Sequence, residues 1–410
     1  MFDQRQKAGT SKGHHSRTLA AFAAFALASA CSSENGGNAI AAQSKGGGDS
    51  ELQTTLADPA PMGALALTEE VLAEGLVNPW CITFLPGGDL LVTERPGRVR
   101  LIKDGVLQEA PIAGVPEVVA WNQGGLFDIL LHPAFEENQT IFLSYAHGTR
   151  KANATRLARA KFDGEKISDL VPLYDAVPEK DTGHHFGGRL VWGPDDMIYL
   201  SLGEGSRYKE KAQDMSSSFG AVVRISPDGS IPDDNPTFGD GDRPELWSKG
   251  HRNPQGLTYD ADRGVLWEHE HGARGGDEIN IVEPGNNYGW PIATYGIDYN
   301  GARISPFTEY DGTKQPYKYW TPSIAPSGLA VYRGELFPED WDGDLLVGGL
   351  VTQSLHRVDL NGMSEVKEER YFTGERIRDV RVGPDGAVYV ATEDRSGEPI
   401  GRIVRLTPTE

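Results

Sequence analysis

From Trp80 onward, an apolar run meets a turn rich in Pro, Asp and Gly, a second apolar run follows, and a later run tends to carry Arg. The phrase reads WCITFLPGGDLLVTERPGRVRLI from Trp80 and GLFDILLHPAFEENQTIFLSY from Gly125. It returns as GRLVWGPDDMIYLSLGEG from Gly188, GLTYDADRGVLWEHEHG from Gly256, GLAVYRGELFPEDWDGDLLVGGL from Gly328 and RDVRVGPDGAVYVATED from Arg378. RLARAKF, GAVVRIS, SLHRVDL and GRIVRL follow the second, third, fifth and sixth copies. In P-D-G and P-G-G turns, Pro fixes φ and Gly accepts a positive φ, so each copy predicts a hairpin with further strands attached. Repeats of about 45 to 70 residues, each holding several short strands, are what propeller blades need; a parallel β-helix needs a much shorter period. Six copies predict an all-β, six-bladed β-propeller over residues 63–410. Ala64 to Leu76 is predicted to supply a strand that closes the ring against the last blade.

Composition agrees with that pattern. Fifty Gly and 26 Pro in 410 residues disfavour a helical bundle, and two Cys exclude a disulfide scaffold. A formal charge of −20 excludes nucleic acid as a partner, which demands a basic face.

Residues 1–30 read as an address. Arg5, Lys7, Lys12 and Arg17 stand against one acid, Asp3, before the apolar run Leu19 to Ala30 and then Cys31. A basic start, a short apolar core and small residues before a cut describe a secretory signal peptide. Ala28-Ser29-Ala30-Cys31 followed by two serines resembles a bacterial lipoprotein box, with Ala28 where that box usually has Leu. Residues 31–62, rich in Gly, Ser, Ala and Asn, read as a flexible linker. The expectation is an exported protein of the periplasm or cell envelope, with a membrane tether if Cys31 is lipidated. Cleavage there takes the charge from −20 to −23, since four basic and one acidic side chains leave. Cys81 is then expected to be a buried, inert thiol.

The chemistry-bearing residues fall in the segments that interrupt the repeat: WNQGG from Trp121, HHFGGRL from His184, GHRNPQGL from Gly250, EHEHGARGGDEIN from Glu268, NNYGWPIATYGIDY from Asn286 and ERIRD from Glu375. Each lies beside a blade's inner strand, so all six are expected to converge on one channel mouth. Arg252, Arg376 and Arg378 would form a cationic cluster there, suited to a polyanionic ligand through paired hydrogen bonds. His185 has the chemistry of a general base, with His184 as its competitor and Glu204 placed to orient the ring. His269 and His271, two apart on a strand, offer a transition-metal pair. The glycine-rich acidic loop after them, with backbone carbonyls and Glu278, suits Ca²⁺ better.

These six segments, in this order, resemble the soluble pyrroloquinoline quinone (PQQ)-dependent sugar dehydrogenases, and among them the bacterial aldose sugar dehydrogenases. The resemblance runs from about Leu65 to Leu406 and is carried by GHRNPQGL with DEIN and NYGWP downstream. It implies oxidation of an aldose at its anomeric carbon to a lactone, with PQQ over the channel. Electrons then pass to an external acceptor such as a cytochrome, a quinone or a dye. In the family motif H-x-x-G-R-L the base is the first residue, which falls on His185, supported by Glu204. Gln123, Arg252, Asn253, Tyr299, Arg376 and Arg378 match cofactor-contacting residues. Gly272 and Ala273 match carbonyl ligands of the cofactor's Ca²⁺, and Glu278 with Tyr288 matches a second Ca²⁺ site. One departure stands out: the family's fifth-blade lysine aligns with Val351, and no lysine lies between Lys318 and Lys367. A propeller that binds a sugar or protein without catalysis, and a metal-dependent lactonase built on His269 and His271, are the competing readings.

Overall fold

The computed structural model describes residues 60–360, 366–394 and 396–409. The expected signal peptide, Cys31 and nearly all of the expected linker lie outside them. Among the described residues, six four-stranded antiparallel sheets form a six-bladed β-propeller. The innermost strands are Pro79–Phe84, Leu126–Leu131, Leu190–Trp192, Pro254–Asp260, Pro326–Val331 and Arg376–Val382, and each touches the next around the ring. Each of the six repeated phrases therefore supplies one inner strand. The ring closes as the sequence pattern predicts: Leu67–Leu76 pairs antiparallel with Gly401–Pro408 and becomes the outer strand of the last blade. At the start of the described chain, Pro61 O accepts from Arg370 N at 2.8 Å, and Met62 bridges Arg370. Residues 60–62, expected at the linker's end, thus run along the outer strand Lys367–Thr373.

The Arg-rich later strands have a local cause. In the third blade, Asp195 accepts from Tyr199 Oη at 3.2 Å and from Arg224 Nε at 2.7 Å. In the sixth, Asp385 accepts from Tyr389 Oη at 3.1 Å and from Arg405 Nε at 2.8 Å. The turn's Asp, the second strand's Tyr and the third strand's Arg thus lock each hairpin to its neighbour. The Gly that opens each turn is needed because the Tyr ring lies on it. A Cβ on Gly193 would come within 2.2 Å of the Tyr199 ring, and one on Gly383 within 2.4 Å of Tyr389.

Packing is concentrated between blades, where apolar side chains of adjacent sheets interdigitate. Leu91, Val99 and Leu101 meet Leu126, Ile129 and Leu143 between the first two blades. Tyr332, Trp341 and Leu346 meet Val380, Val390 and Val404 between the last two. Near the channel axis, Trp80, Cys81, Phe127 and Phe186 form an apolar plug. Burial pushes the Cys81 thiol up to about 12, which makes it the inert thiol expected.

Candidate active site

An antiparallel hairpin puts the start of its first strand and the end of its second at one edge. Pro254 pairs with Glu270, Arg376 with Glu393, and Pro79 with Glu94. Residues just before the inner strands and just after the second strands therefore gather at one mouth. His185, Arg252 and Asn253 precede inner strands, and Arg376 and Arg378 open one; Glu204, His271 and Gly272 follow second strands, and Glu393 ends one.

His185 is buried, with φ of +50°, a backbone region that non-glycine residues seldom occupy. Such conformations cost of order 1–3 kcal/mol and persist only where the surroundings fix them. Three contacts do so here. His185 N donates to Gln123 Oε1 at 2.8 Å, and Gly205 N donates to His185 O at 3.3 Å. Gly203 leaves room, since a Cβ there would lie 2.4 Å from His185 O and 2.9 Å from Asn253 Oδ1. His185 Nδ1 and Glu204 Oε1 are 2.8 Å apart, and Glu204 is fully buried. A carboxylate facing Nδ1 makes that nitrogen the donor and leaves Nε2 with its lone pair. Burial, then the Arg252 guanidinium, Lys180 and His184, hold His185 well below its ordinary range, so the ring stays neutral at neutral pH. Burial pushes Glu204 up to about 7, against the pull of Arg252, a backbone hydrogen bond from Ser206, Lys180 and Lys209. His184, the competitor, is exposed and contributes its carbonyl to Lys180 Nζ.

The arginines converge as expected, around a carboxylate the sequence did not flag. Glu393 Oε1 accepts from Arg378 Nη2 at 2.7 Å and lies 3.5 Å from Arg376 Nη2. Burial opposes the charge of Glu393, but Arg378, Arg376 and Arg95 outweigh it and hold the carboxyl below its usual range. Arg95 was also missed: it follows the second strand of the first blade and donates to Asn122 O. Arg252 donates to the carbonyls of His271, at 3.0 Å, and Gly272, and lies over the Trp290 ring at 5.3 Å. Asn253 Oδ1 accepts from Gly187 N at 3.4 Å. An open recess of about 220 Å³ is lined by Arg252, Glu270, His271, Glu278, Tyr288 and Trp290, among others. Tyr299 stands apart, 71% exposed, with no hydrogen bond to the cluster, and Val351 is 55% exposed.

The EHEH strand divides as a strand must. Glu268 and Glu270 share one face, while His269 lies on the other with Nε2 3.1 Å from Gly328 O. The expected His269–His271 pair is therefore not the grouping that forms among the described residues. His251, Glu268 and Glu270 bring their ligand atoms within 4.8 Å of one another instead, and His251 lies stacked on Tyr288 at 4.7 Å between ring centroids. Burial and repulsion from Glu270 push both Glu268 and Glu278 well above the carboxylate range.

The residues present fit an anionic cofactor and a hard cation. Arg252 Nε, Arg378 Nε and His271 Nε2 are buried without a hydrogen-bond partner, donors that an anion would satisfy. Backbone oxygens crowd the loop after His271: a Cβ on Gly272 would lie 2.2 Å from Gly275 O and 2.4 Å from Gly276 O. Carbonyls beside buried Asp277 and Glu278 are the oxygen donors that Ca²⁺ prefers.

A six-bladed propeller with a buried His–Glu pair and an arginine cluster at one mouth defines a class of sugar-oxidising proteins, and comparison with known proteins agrees. The family model described as Glucose / Sorbosone dehydrogenase matches residues 76–405, and the chain belongs to that family. It is 42% identical over 349 residues to the aldose sugar dehydrogenase YliI of Escherichia coli, covering 83% of this chain and 92% of the relative. The crystal structure of the soluble aldose sugar dehydrogenase of E. coli in its apo form matches with a TM-score of 0.79 at 40% identity, over 84% of this chain and all of that one. The PQQ-bound aldose sugar dehydrogenase of Streptomyces coelicolor matches with a TM-score of 0.67 at 27% identity, over 84% and 98%.

Proposed function

We propose that the protein oxidises aldose sugars at the anomeric carbon to lactones, using PQQ. The observation that carries this reading is the buried His185–Glu204 pair, 2.8 Å between Nδ1 and Oε1, at the mouth where the arginines gather. Kinship with a glucose / sorbosone dehydrogenase family and with a PQQ-bound relative supports it.

In this reading Arg252, Asn253, Arg376, Arg378, Gln123 and Tyr299 hold the cofactor, and Arg95, beside Arg378 and Glu393, adds a further cation. Gly272 and Ala273 offer carbonyls to the cofactor's Ca²⁺, and Glu278 with the Tyr288 carbonyl holds a second. Bound there, such a quinone would supply a hydride acceptor for the anomeric carbon, and Ca²⁺ a Lewis acid. His185 Nε2 takes the proton of the anomeric hydroxyl as the C=O of the lactone forms. Glu204 accepts the Nδ1 proton's hydrogen bond, keeps the ring in the basic tautomer and stabilises its charged form. An external acceptor of the cytochrome, quinone or dye class would take up the two electrons. Export places this chemistry in the cell envelope, tethered to the membrane if Cys31 is lipidated and free if it is not; the N-terminal sequence supports export.

The test is reconstitution. Purified protein receives PQQ and Ca²⁺, and dye reduction is followed with glucose and other aldoses. Saturable, sugar-dependent reduction is expected. His185→Ala should abolish turnover and still perturb the absorption of added PQQ. No reduction, with the PQQ spectrum unchanged by the protein, overturns the reading.

A further inference from the structure

Lysine stems commonly lie along apolar surface with the ammonium in water. Lys180 departs from that habit: it is 3% exposed overall. Its backbone is pinned against the second blade, with Lys180 N donating to Asn153 O at 2.8 Å and Asn153 N donating to Lys180 O at 2.9 Å. The stem packs against the segment that carries Glu204, since a Cβ on Gly205 would lie 3.0 Å from Lys180 Cδ. The ammonium donates to the His184 carbonyl and sits 3.2 Å from the centroid of the Phe186 ring. It thus touches both sequence neighbours of His185. Among the described residues no carboxylate forms a salt bridge with it, and the anion it senses is Glu204.

We propose that Lys180 is a positioning residue for the base: its buried ammonium, lodged behind the His185–Glu204 pair, keeps the Glu204 carboxylate charged and so fit to hold the imidazole. This rests on the reading of His185 and Glu204 given above. The arrangement is reciprocal. Burial works against the charge on both Lys180 and Glu204, and each charge favours the other. Other charged groups also face the pair. Arg252, bonded to the carbonyls of His271 and Gly272, is the largest pull on the Glu204 charge, and Lys180 adds to it. Lys209 is half-buried, with its ammonium 4.0 Å from Glu210 Oε1. His184 is exposed and bears on His185 alone, and Asp181 is turned outward to Arg207 Nη2 at 2.8 Å and Tyr208 Oη at 2.7 Å.

Lys180→Met keeps the stem and deletes the charge. In cofactor-free protein near neutral pH, infrared difference spectra of the variant should show a protonated-carboxyl C=O band stronger than that of wild type, which Lys180→Met/Glu204→Gln loses. In the reconstituted enzyme the acidic limb of kcat should move up by at least about one pH unit, and Lys180→Arg should bring it back. A profile that is only scaled down, with no new carboxyl band, overturns the proposal and leaves Lys180 a packing residue. Should Lys180→Met not fold, wild type against Glu204→Gln decides: a Glu204 carboxyl still protonated well above neutrality overturns it. If wild type itself shows no sugar-dependent reduction, the functional reading fails, and the infrared comparison still judges the Lys180–Glu204 coupling.

Discussion

Arg189 ends the HHFGGR motif, yet its contacts lead away from the mouth and down the channel. It is 1% exposed, with Nη1 3.5 Å from Asp128 Oδ2, Nη2 3.1 Å from Asp379 Oδ1, and Nε donating to Gln255 O at 3.2 Å. Its guanidinium also lies 4.2 Å from the centroid of Trp80. Arg381 completes the group, 3.2 Å from Asp128 and 3.0 Å from Asp379. One arginine thereby ties the inner strands of the second, fourth and sixth blades to the first. Arg189→Met preserves the stem and leaves two buried aspartates with a single arginine. Removing one partner of a buried pair costs about 3–5 kcal/mol, because the charge left behind is uncompensated. Urea unfolding of wild type and variant should show the midpoint falling by that amount divided by m, with m itself unchanged. Adding Asp379→Asn should recover part of the loss, since it removes the orphaned charge. The variant that folds should keep its sugar-dependent dye reduction per folded molecule. A loss below about 1 kcal/mol, the range of an ordinary surface pair, would refute the clamp. Lost turnover at unchanged stability would instead make Arg189 a functional residue.

Glu204→Gln can still accept from His185 Nδ1 but carries no charge, so kcat should fall about 100-fold or more, within the span of general-base effects, while PQQ still perturbs the spectrum. In wild type, Glu204 is protonated below about 7, so kcat should rise as pH passes through that value, and stopped-flow profiles of Glu204→Gln should lack this limb. A different carboxyl governs acid stability. Glu368 accepts from Trp320 Nε1 at 2.9 Å, lies 2.6 Å from His356 Nδ1 and 2.8 Å from Lys318 Nζ, and so joins the fourth blade to the fifth. Burial opposes its charge, but the His356 hydrogen bond and Lys318 outweigh it and hold the group at about 2, against an ordinary 4.5. A carboxyl held down in the folded state adds stability above pH 4.5 and loses it as pH falls toward 2, here about 3 kcal/mol. Glu368→Gln should lose that amount at neutral pH and flatten the acid limb of Tm; an unchanged limb counts against the assignment.

The fold was legible because its information is local. Asp195, Tyr199 and Arg224 lie within one blade, and Asp385, Tyr389 and Arg405 repeat the same lock, so the pattern showed each blade without its neighbours. The ring-closing strand was legible for a related reason: an apolar segment ahead of the first copy had no hairpin of its own to join. His185, Arg252 and Arg378 were legible as members of motif strings. Glu393 was not, since a glutamate ending a strand looks like any solvated acid. Its role arises when Arg376 and Arg378 fold over it. Arg95 is of the same kind, ordinary in its own segment and brought beside Arg378 and Glu393 only by the fold. EHEH offers a metal pattern in two histidines two apart, but the strand turns His269 to Gly328 O and sets Glu268 and Glu270 beside His251.

Lys180 shows why such residues escape a linear reading. Its neighbours in sequence are acidic and polar, which describes a solvated loop, and only the closed ring buries it beside Glu204. The mouth collects buried ionisable groups of both kinds: Glu204, Glu268, Glu270 and Glu278 beside Lys180 and Arg252. Each costs free energy that no local partner fully offsets. A propeller tolerates this because its stability comes from apolar interfaces between blades, repeated around the ring and separate from the mouth. Side chains at the inner-strand starts are therefore released from packing the core and free to be chosen for chemistry. That separation lets a mouth substitution such as Lys180→Met act on kcat and its pH dependence, while one such as Arg189→Met, further down the same channel, acts on stability.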